Sequence, residues 1–275
     1  MTPDAERPIG VFDSGVGGLT VVRELWRRLP WESILYFGDT ARVPYGSKSP
    51  ETVARYAREA SAFLLSRGVK AVVVACNTVT AHAIDRLRDE LPVPVVGVVE
   101  PGARAAARAT RSGRIGVIGT AGTIASGAYD RALRRFLADV QIFAQPCPLL
   151  VPLVEEGWSD HPATRLIIEE YLRPLREVAV DVLILGCTHY PLLRPLLAEG
   201  MGTGATLVDS AIEAAADLER SLAEHDLLRR GETPPVHTFF ASDSPIHFRE
   251  LGNRFLGNVI ERVERFDVDG YGLAA

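Results

Sequence analysis

Val180-Asp181-Val182-Leu183-Ile184-Leu185-Gly186-Cys187-Thr188-His189 is an apolar, largely branched run that breaks abruptly into a thiol and small polar groups. Earlier in the chain, Val69-Lys70-Ala71-Val72-Val73-Val74-Ala75-Cys76-Asn77-Thr78 does the same. Such a run reads as a parallel strand buried on both faces. The break puts each cysteine at the strand's carboxyl end, where open α/β sheets hold their ligands. Two thiols in matched settings point to two groups facing one small molecule.

The likeness extends outward from the cysteines. Ile9-Gly10-Val11 recurs as Ile115-Gly116-Val117, and Ile34-Leu35-Tyr36-Phe37 has a counterpart at Gln141-Ile142-Phe143-Ala144. Pro94-Val95-Val96-Gly97-Val98-Val99 corresponds to Ala205-Thr206-Leu207-Val208. Four features in one order at nearly one offset indicate an internal duplication. The fold class is therefore α/β: two pseudo-symmetric lobes, each a parallel sheet flanked by helices, with the site in the cleft between them.

Strands are expected near 8–12, 33–38, 70–75 and 94–99, then near 114–118, 140–144, 181–186 and 205–208. Helices are expected at 18–29, 50–67, 79–90, 123–138, 162–177 and 191–199. Beyond Ser210 come a helix at 211–225, a strand at 236–240 and a helix at 245–263, with no counterpart between the lobes. That extra strand is assigned to the first sheet. The first lobe is then 1–99 plus 211–267, the second 100–210, and 268–275 a frayed tail.

Composition narrows the function. The 275 residues are 47% hydrophobic and 24% charged, as in an ordinary globular protein. A net charge of −5 argues against general nucleic-acid binding, which needs a basic surface. No run is long and apolar enough to span a membrane, and Met1 to Arg7 lacks a signal peptide's apolar segment. A cytoplasmic location is expected. Three cysteines, a low and odd count, argue against a disulfide framework. Cys147, between Pro146 and Pro148, has no twin and reads as structural.

Several polar loops follow strand ends. Asp13-Ser14-Gly15-Val16-Gly17-Gly18 invites a dinucleotide reading, with Asp39 as the ribose acid. Thr20, however, stands where the third glycine of the fingerprint belongs. The same turn can simply be tight, or it can hold an anion on backbone N–H groups at a helix start. Asp13 can accept a proton or pair with an ammonium group. Asp39 to Gly46 forms a long loop, and Gly119-Thr120-Ala121-Gly122-Thr123 can cap a helix or bind a carboxylate. Glu155, after the apolar run Leu149 to Val154, is solvated or orients His189. Cys187 and His189 offer two metal ligands, but no third or fourth is evident and no metal site is expected. A redox pair would require Cys76 and Cys187 to form a disulfide.

Two opposed thiols suit removal and return of a proton on opposite faces of a carbon beside a carboxylate. Pyridoxal phosphate would need a Schiff-base lysine, and the chain has only Lys48 and Lys70. Racemisation without a cofactor is favoured.

The loops Asp13 to Gly18, Asp39 to Gly46 and Ala75 to Thr78, with Leu185 to Leu192, resemble the glutamate racemases, within the cofactor-independent aspartate/glutamate racemase family. The resemblance runs from about residue 8 to 265. It implies a catalytic pair of Cys76 and Cys187, and substrate contacts at Asp13, Ser14, Tyr45, Gly46, Asn77, Thr78, Thr188 and His189. It also implies that Glu155 assists His189. Cys76 would deprotonate D-glutamate and Cys187 L-glutamate, helped by Asp13 and His189 respectively. It further implies a cytoplasmic homodimer that makes D-glutamate for bacterial peptidoglycan. Thr120 joins Ser14, Asn77, Thr78 and Thr188 as a neutral donor to the substrate's γ-carboxylate. Racemisation of another acidic amino acid such as aspartate, or a two-lobed module binding a small anion, are the alternatives. In aspartate racemases an acidic residue tends to replace His189.

Overall fold

A computed structural model describes residues 3–231 and 233–268. Its strands are β1 (Ile9–Asp13), β2 (Ile34–Gly38), β3 (Ala71–Val74), β4 (Val95–Gly97), β5 (Arg114–Gly119), β6 (Gln141–Pro146), β7 (Val182–Gly186), β8 (Thr206–Asp209), β9 (His237–Ala241) and β10 (Glu264–Arg265). They form two sheets, in the orders β10-β9-β2-β1-β3-β4 and β6-β5-β7-β8. All pairings are parallel. The run β2-β1-β3-β4 has the same order as β6-β5-β7-β8, the arrangement that a duplicated unit requires. Strand β9 pairs with β2, Ile34 opposite His237, so the extra strand extends the first sheet.

The helices are α1 (Leu19–Arg28), α2 (Pro50–Ser66), α3 (Asn77–Glu90), α4 (Val99–Ala109), α5 (Ala121–Ala125), α6 (Ala128–Phe136), α7 (Leu150–Glu155), α8 (Pro162–Glu177), α9 (Arg194–Met201), α10 (Ser210–Glu224) and α11 (Pro245–Leu256). Their starts follow local chemistry. Ser49 accepts from the Thr52 N–H ahead of Pro50, and Asp209 accepts from the Ala211 N–H at 2.9 Å. The central strands β1, β3 and β7 are buried along their whole length, as their unbroken apolar runs require. One apolar cluster runs from Ile9 and Leu25 through Leu218 to Leu185 and Leu197, and so links the two sheets.

Several expected elements differ. The helix expected at 123–138 is two, α5 and α6, parted at Gly127, whose φ of 64° is left-handed. The helix expected at 245–263 stops at Leu256, because Gly257 turns left-handed with φ 85° and its N–H closes on the Asn253 carbonyl. Helices α4 and α7 fall outside every expected helix. Pro101-Gly102 disguised the first, and a short apolar run the second. Val268 is buried, while the rest of the expected tail, 269–275, lies outside the described residues.

Lys70 lies just ahead of β3, at the amino ends of the strands. Its ammonium is buried, paired with Glu32 at 2.5 Å and bonded to the carbonyls of Ala5 and Leu227 at 2.6 and 2.8 Å. Burial, partly offset by Glu32, lowers its pKa. Lys70 therefore staples the amino-terminal segment to the sheet, far from the strand ends that carry the thiols. Replacing Lys70 with Met leaves a buried carboxylate without its cation. A stability loss of about 3 kcal/mol is expected, read by urea denaturation. A loss under about 1 kcal/mol would show that the pair is not needed.

Candidate active site

The carboxyl ends of both sheets meet at a cavity of about 420 Å³, within the size range of small-molecule sites. Cys76 and Cys187 both line it. Cys187 follows β7 directly and Cys76 follows β3 after Ala75, so the two thiols reach one cavity from two different sheets. Both cysteines are 6% exposed and neither is in a disulfide.

The surroundings of the two thiols differ. Cys76 Sγ lies 3.6 Å from Ser14 Oγ. Burial first, and then the Asp13 charge, push its pKa up to about 12, so it rests as a neutral thiol. Asp13 ends β1 and is 1% exposed. Its Oδ2 accepts from the Gly15 N–H at 3.0 Å, while Oδ1 is buried without a partner among the described residues. Burial raises the Asp13 pKa against the opposing charge of His189.

Cys187 Sγ stands 3.9 Å from His189 Nδ1, and His189 Nε2 is 2.9 Å from Glu155 Oε1. Burial alone would lower the imidazole's pKa. The hydrogen bonds and charges of Cys187 and Glu155 outweigh it and raise the pKa to about 10. Thus one thiol faces an imidazolium and the other a carboxylate. Glu155 is the last residue of α7, the helix that the sequence concealed. The Phe255 ring closes edge-on over His189 at 5.8 Å.

The glycine turn serves contact more than ligand binding. A Cβ on Gly17 would come within 2.3 Å of Thr188 Oγ1 and 2.5 Å of the His189 ring, so only glycine allows the β1 turn to approach the Cys187 loop. Thr20 Oγ1 donates to the Thr188 carbonyl at 2.9 Å, and so ties α1 to that loop. The anion held at this turn is Asp13's own carboxylate. The nucleotide reading fails at Asp39. Its carboxylate is fully buried and occupied by Arg42 Nε at 2.7 Å, Ser242 Oγ at 2.9 Å and the Tyr45 hydroxyl. This network anchors the loop that presents Tyr45 and Gly46 to the cavity. The Tyr45 hydroxyl is spent on Asp39, so its contribution to the wall is its ring and backbone.

Thr78, Thr120 and Thr123 form a closed triangle of hydroxyls with sides of 3.0, 3.1 and 3.0 Å. It joins the Cys76 loop to the loop after β5. Thr120 also caps α5 by accepting from the Thr123 N–H at 3.2 Å, and it lines the cavity. The capping reading of that loop holds, and the residue that makes the cap also faces the cavity. Ser14, Tyr45, Gly46, Asn77, Thr78, Thr120, Glu155, Thr188 and His189 all line the cavity, whereas Asp13, which precedes Ser14 in the chain, is buried and does not line it. Cys147 is fully buried, lies outside this cavity and contacts the Gln145 carbonyl at 3.5 Å. Sequence reading passed over Ser242 and Tyr129, whose partners Asp39 and Asn77 lie on distant segments.

A family model described as Asp/Glu/Hydantoin racemase matches residues 11–218. A glutamate racemase of Syntrophus aciditrophicus is 54% identical over 259 residues, covering 94% of this chain and 96% of that protein. The chain belongs to this racemase family.

It is an isomerase of the racemase type, and its architecture is that of solved family members. A glutamate racemase isoform from Bacillus anthracis superposes with a TM-score of 0.92 at 42% identity, covering 96% of this chain and 98% of that one. The Francisella tularensis glutamate racemase in complex with D-glutamate gives 0.91 at 36% identity, over 97% and 100% of the two chains. No helix of the described residues is long and apolar enough to cross a membrane.

Proposed function

We propose that this racemase interconverts L- and D-glutamate by two-thiol proton transfer at Cα. The observation that carries the reading is that Cys76 and Cys187, from separate sheets, line one cavity with opposite electrostatic partners. In the L-to-D direction the Cys187 thiolate, beside the His189 imidazolium, takes the Cα proton. The electron pair left on Cα delocalises into the α-carboxylate. The Cys76 thiol then gives its proton to the opposite face and becomes the thiolate. The reverse reaction exchanges the two roles, with Asp13 and His189 as the respective helpers. Asp13, with Oδ1 uncommitted, is suited to the substrate's ammonium group. Ser14, Asn77, Thr78, Thr120 and Thr188 supply neutral donors to the γ-carboxylate.

The reaction needs no cofactor, and one of the two lysines, Lys70, is already committed to Glu32. We further propose that the chain is divided at 1–99 plus 211–267 and 100–210, and works as a cytoplasmic homodimer. Its product would supply D-glutamate for bacterial peptidoglycan. Relatives named glutamate racemase at 54% and 52% identity support glutamate over aspartate, as does His189 at the second thiol.

The test is circular dichroism of L- and D-glutamate incubated with chelator-treated protein and no pyridoxal phosphate. Both enantiomers are expected to decay to the racemate. Aspartate, one methylene shorter, is expected to show kcat/KM roughly 10–200-fold lower. Equal turnover of aspartate would refute the substrate, and dependence on an added cofactor would refute the mechanism.

A further inference from the structure

Tyr129, the second residue of α6, is 3% exposed and does not line the catalytic cavity. It nevertheless touches both thiol-bearing strand ends. Its hydroxyl donates to Asn77 Oδ1 at 2.7 Å, on the residue that follows Cys76. Its ring packs on Gly186, the residue before Cys187; a Cβ added there would lie 3.1 Å from Tyr129 Cε2. The same hydroxyl is 3.1 Å from Ser210 Oγ, where the chain crosses back towards the first sheet. That crossover is itself tightly packed, since a Cβ on Gly102 would come within 2.3 Å of Ser210 Oγ.

A phenol has one proton to give. Donating it to Asn77 Oδ1 leaves Tyr129 to accept from Ser210 and decides which way the Asn77 carboxamide is turned. With Oδ1 engaged, the NH₂ end remains, and no protein acceptor takes it among the described residues. Asn77 lines the cavity. Burial raises the Tyr129 pKa, so the hydroxyl stays protonated and donating.

We propose that Tyr129 is a positioning residue that sets the spacing of the two thiol loops and turns the Asn77 amide N–H towards a substrate carboxylate. The inference rests on the glutamate reading above and adds the group that makes the cavity's donor set pre-formed. A carboxylate bound equally in ground and transition states affects KM rather than kcat. Tyr129→Phe is therefore expected to raise KM for glutamate roughly tenfold, with kcat changed by less than about twofold. A 4-fluorophenylalanine at position 129 fills the hydroxyl's space without donating. It guards against a simple packing defect and should give the same split.

A double-mutant cycle supplies the readout that a merely structural role would not move. In an Asn77→Ala background, Tyr129→Phe should have no further effect on KM, because the hydroxyl acts through that amide. Wild-type turnover of glutamate in the same assay separates this test from that of the substrate. Unchanged KM in both position-129 variants would overturn the inference, and so would a full tenfold effect that persists without Asn77.

Discussion

Cys76→Ala and Cys187→Ala proteins, each verified as folded, are expected to lose racemisation in both directions by about 10⁴-fold, the upper range for one acid–base group. Both directions fail together because every turnover needs a base on one face and an acid on the other. The residual chemistry should be one-sided. With Cys187 intact, Cys76→Ala retains a base for the L-face only. It should slowly wash the Cα proton of L-glutamate into heavy water without inverting it, while D-glutamate stays unexchanged. Cys187→Ala should show the opposite preference. Mass spectrometry of recovered, chirally resolved substrate reads both. Near-normal racemisation by either variant, or exchange without facial preference, would sink the two-thiol mechanism.

The second large effect concerns the His189–Glu155 pair. His189 is held protonated to about pH 10 although it is 6% exposed, because Glu155 and Cys187 outweigh its desolvation. Glu155→Gln keeps a hydrogen-bond acceptor and removes the charge, so the imidazolium should titrate earlier. His189→Asn removes it altogether. Proton abstraction from L-glutamate is expected to fall by roughly 10²- to 10³-fold in His189→Asn, more than abstraction from D-glutamate. The equilibrium constant remains unity, so the asymmetry appears in kcat and KM taken separately.

A stability signature accompanies it. A histidine whose folded pKa exceeds its unfolded value of roughly 6.5 stabilises the fold fully below that pH. The contribution is then lost as pH rises through about 10. The Tm of the wild type should decline across that window, and less steeply in Glu155→Gln. Parallel declines in the two proteins would show that the carboxylate does not hold the proton.

Much of this was legible in the sequence because it is carried by local pattern. The parallel strands announce themselves as unbroken runs such as Val182–Gly186, since a strand buried on both faces strongly favours apolar residues. The helices expected at 50–67 and 162–177 are there, each opened by short-range chemistry between neighbours: Ser49 and Thr52, and His161 and Ala163. The repeated thiol at a strand end pointed to the cavity that both cysteines line, because parallel sheets gather their ligands at that end. Where local pattern was ambiguous, expectation failed. Helix α4 hides behind Pro101-Gly102, and Gly257 ends α11 seven residues before Glu264 opens β10.

By itself the sequence determined the α/β class, the repeated succession of strands along the chain and the matched positions of the two cysteines. Each is written in the periodicity of a few adjacent residues. Only the tertiary structure decided what surrounds each thiol. It brought Glu155 from a concealed helix to His189, spent Asp39 on Arg42, Ser242 and Tyr45, and set Tyr129 between Asn77 and Gly186. Apart from Arg42 and Tyr45 on Asp39, these contacts join residues far apart in the chain. Their charges and hydrogen bonds gain strength only when both partners are removed from water together.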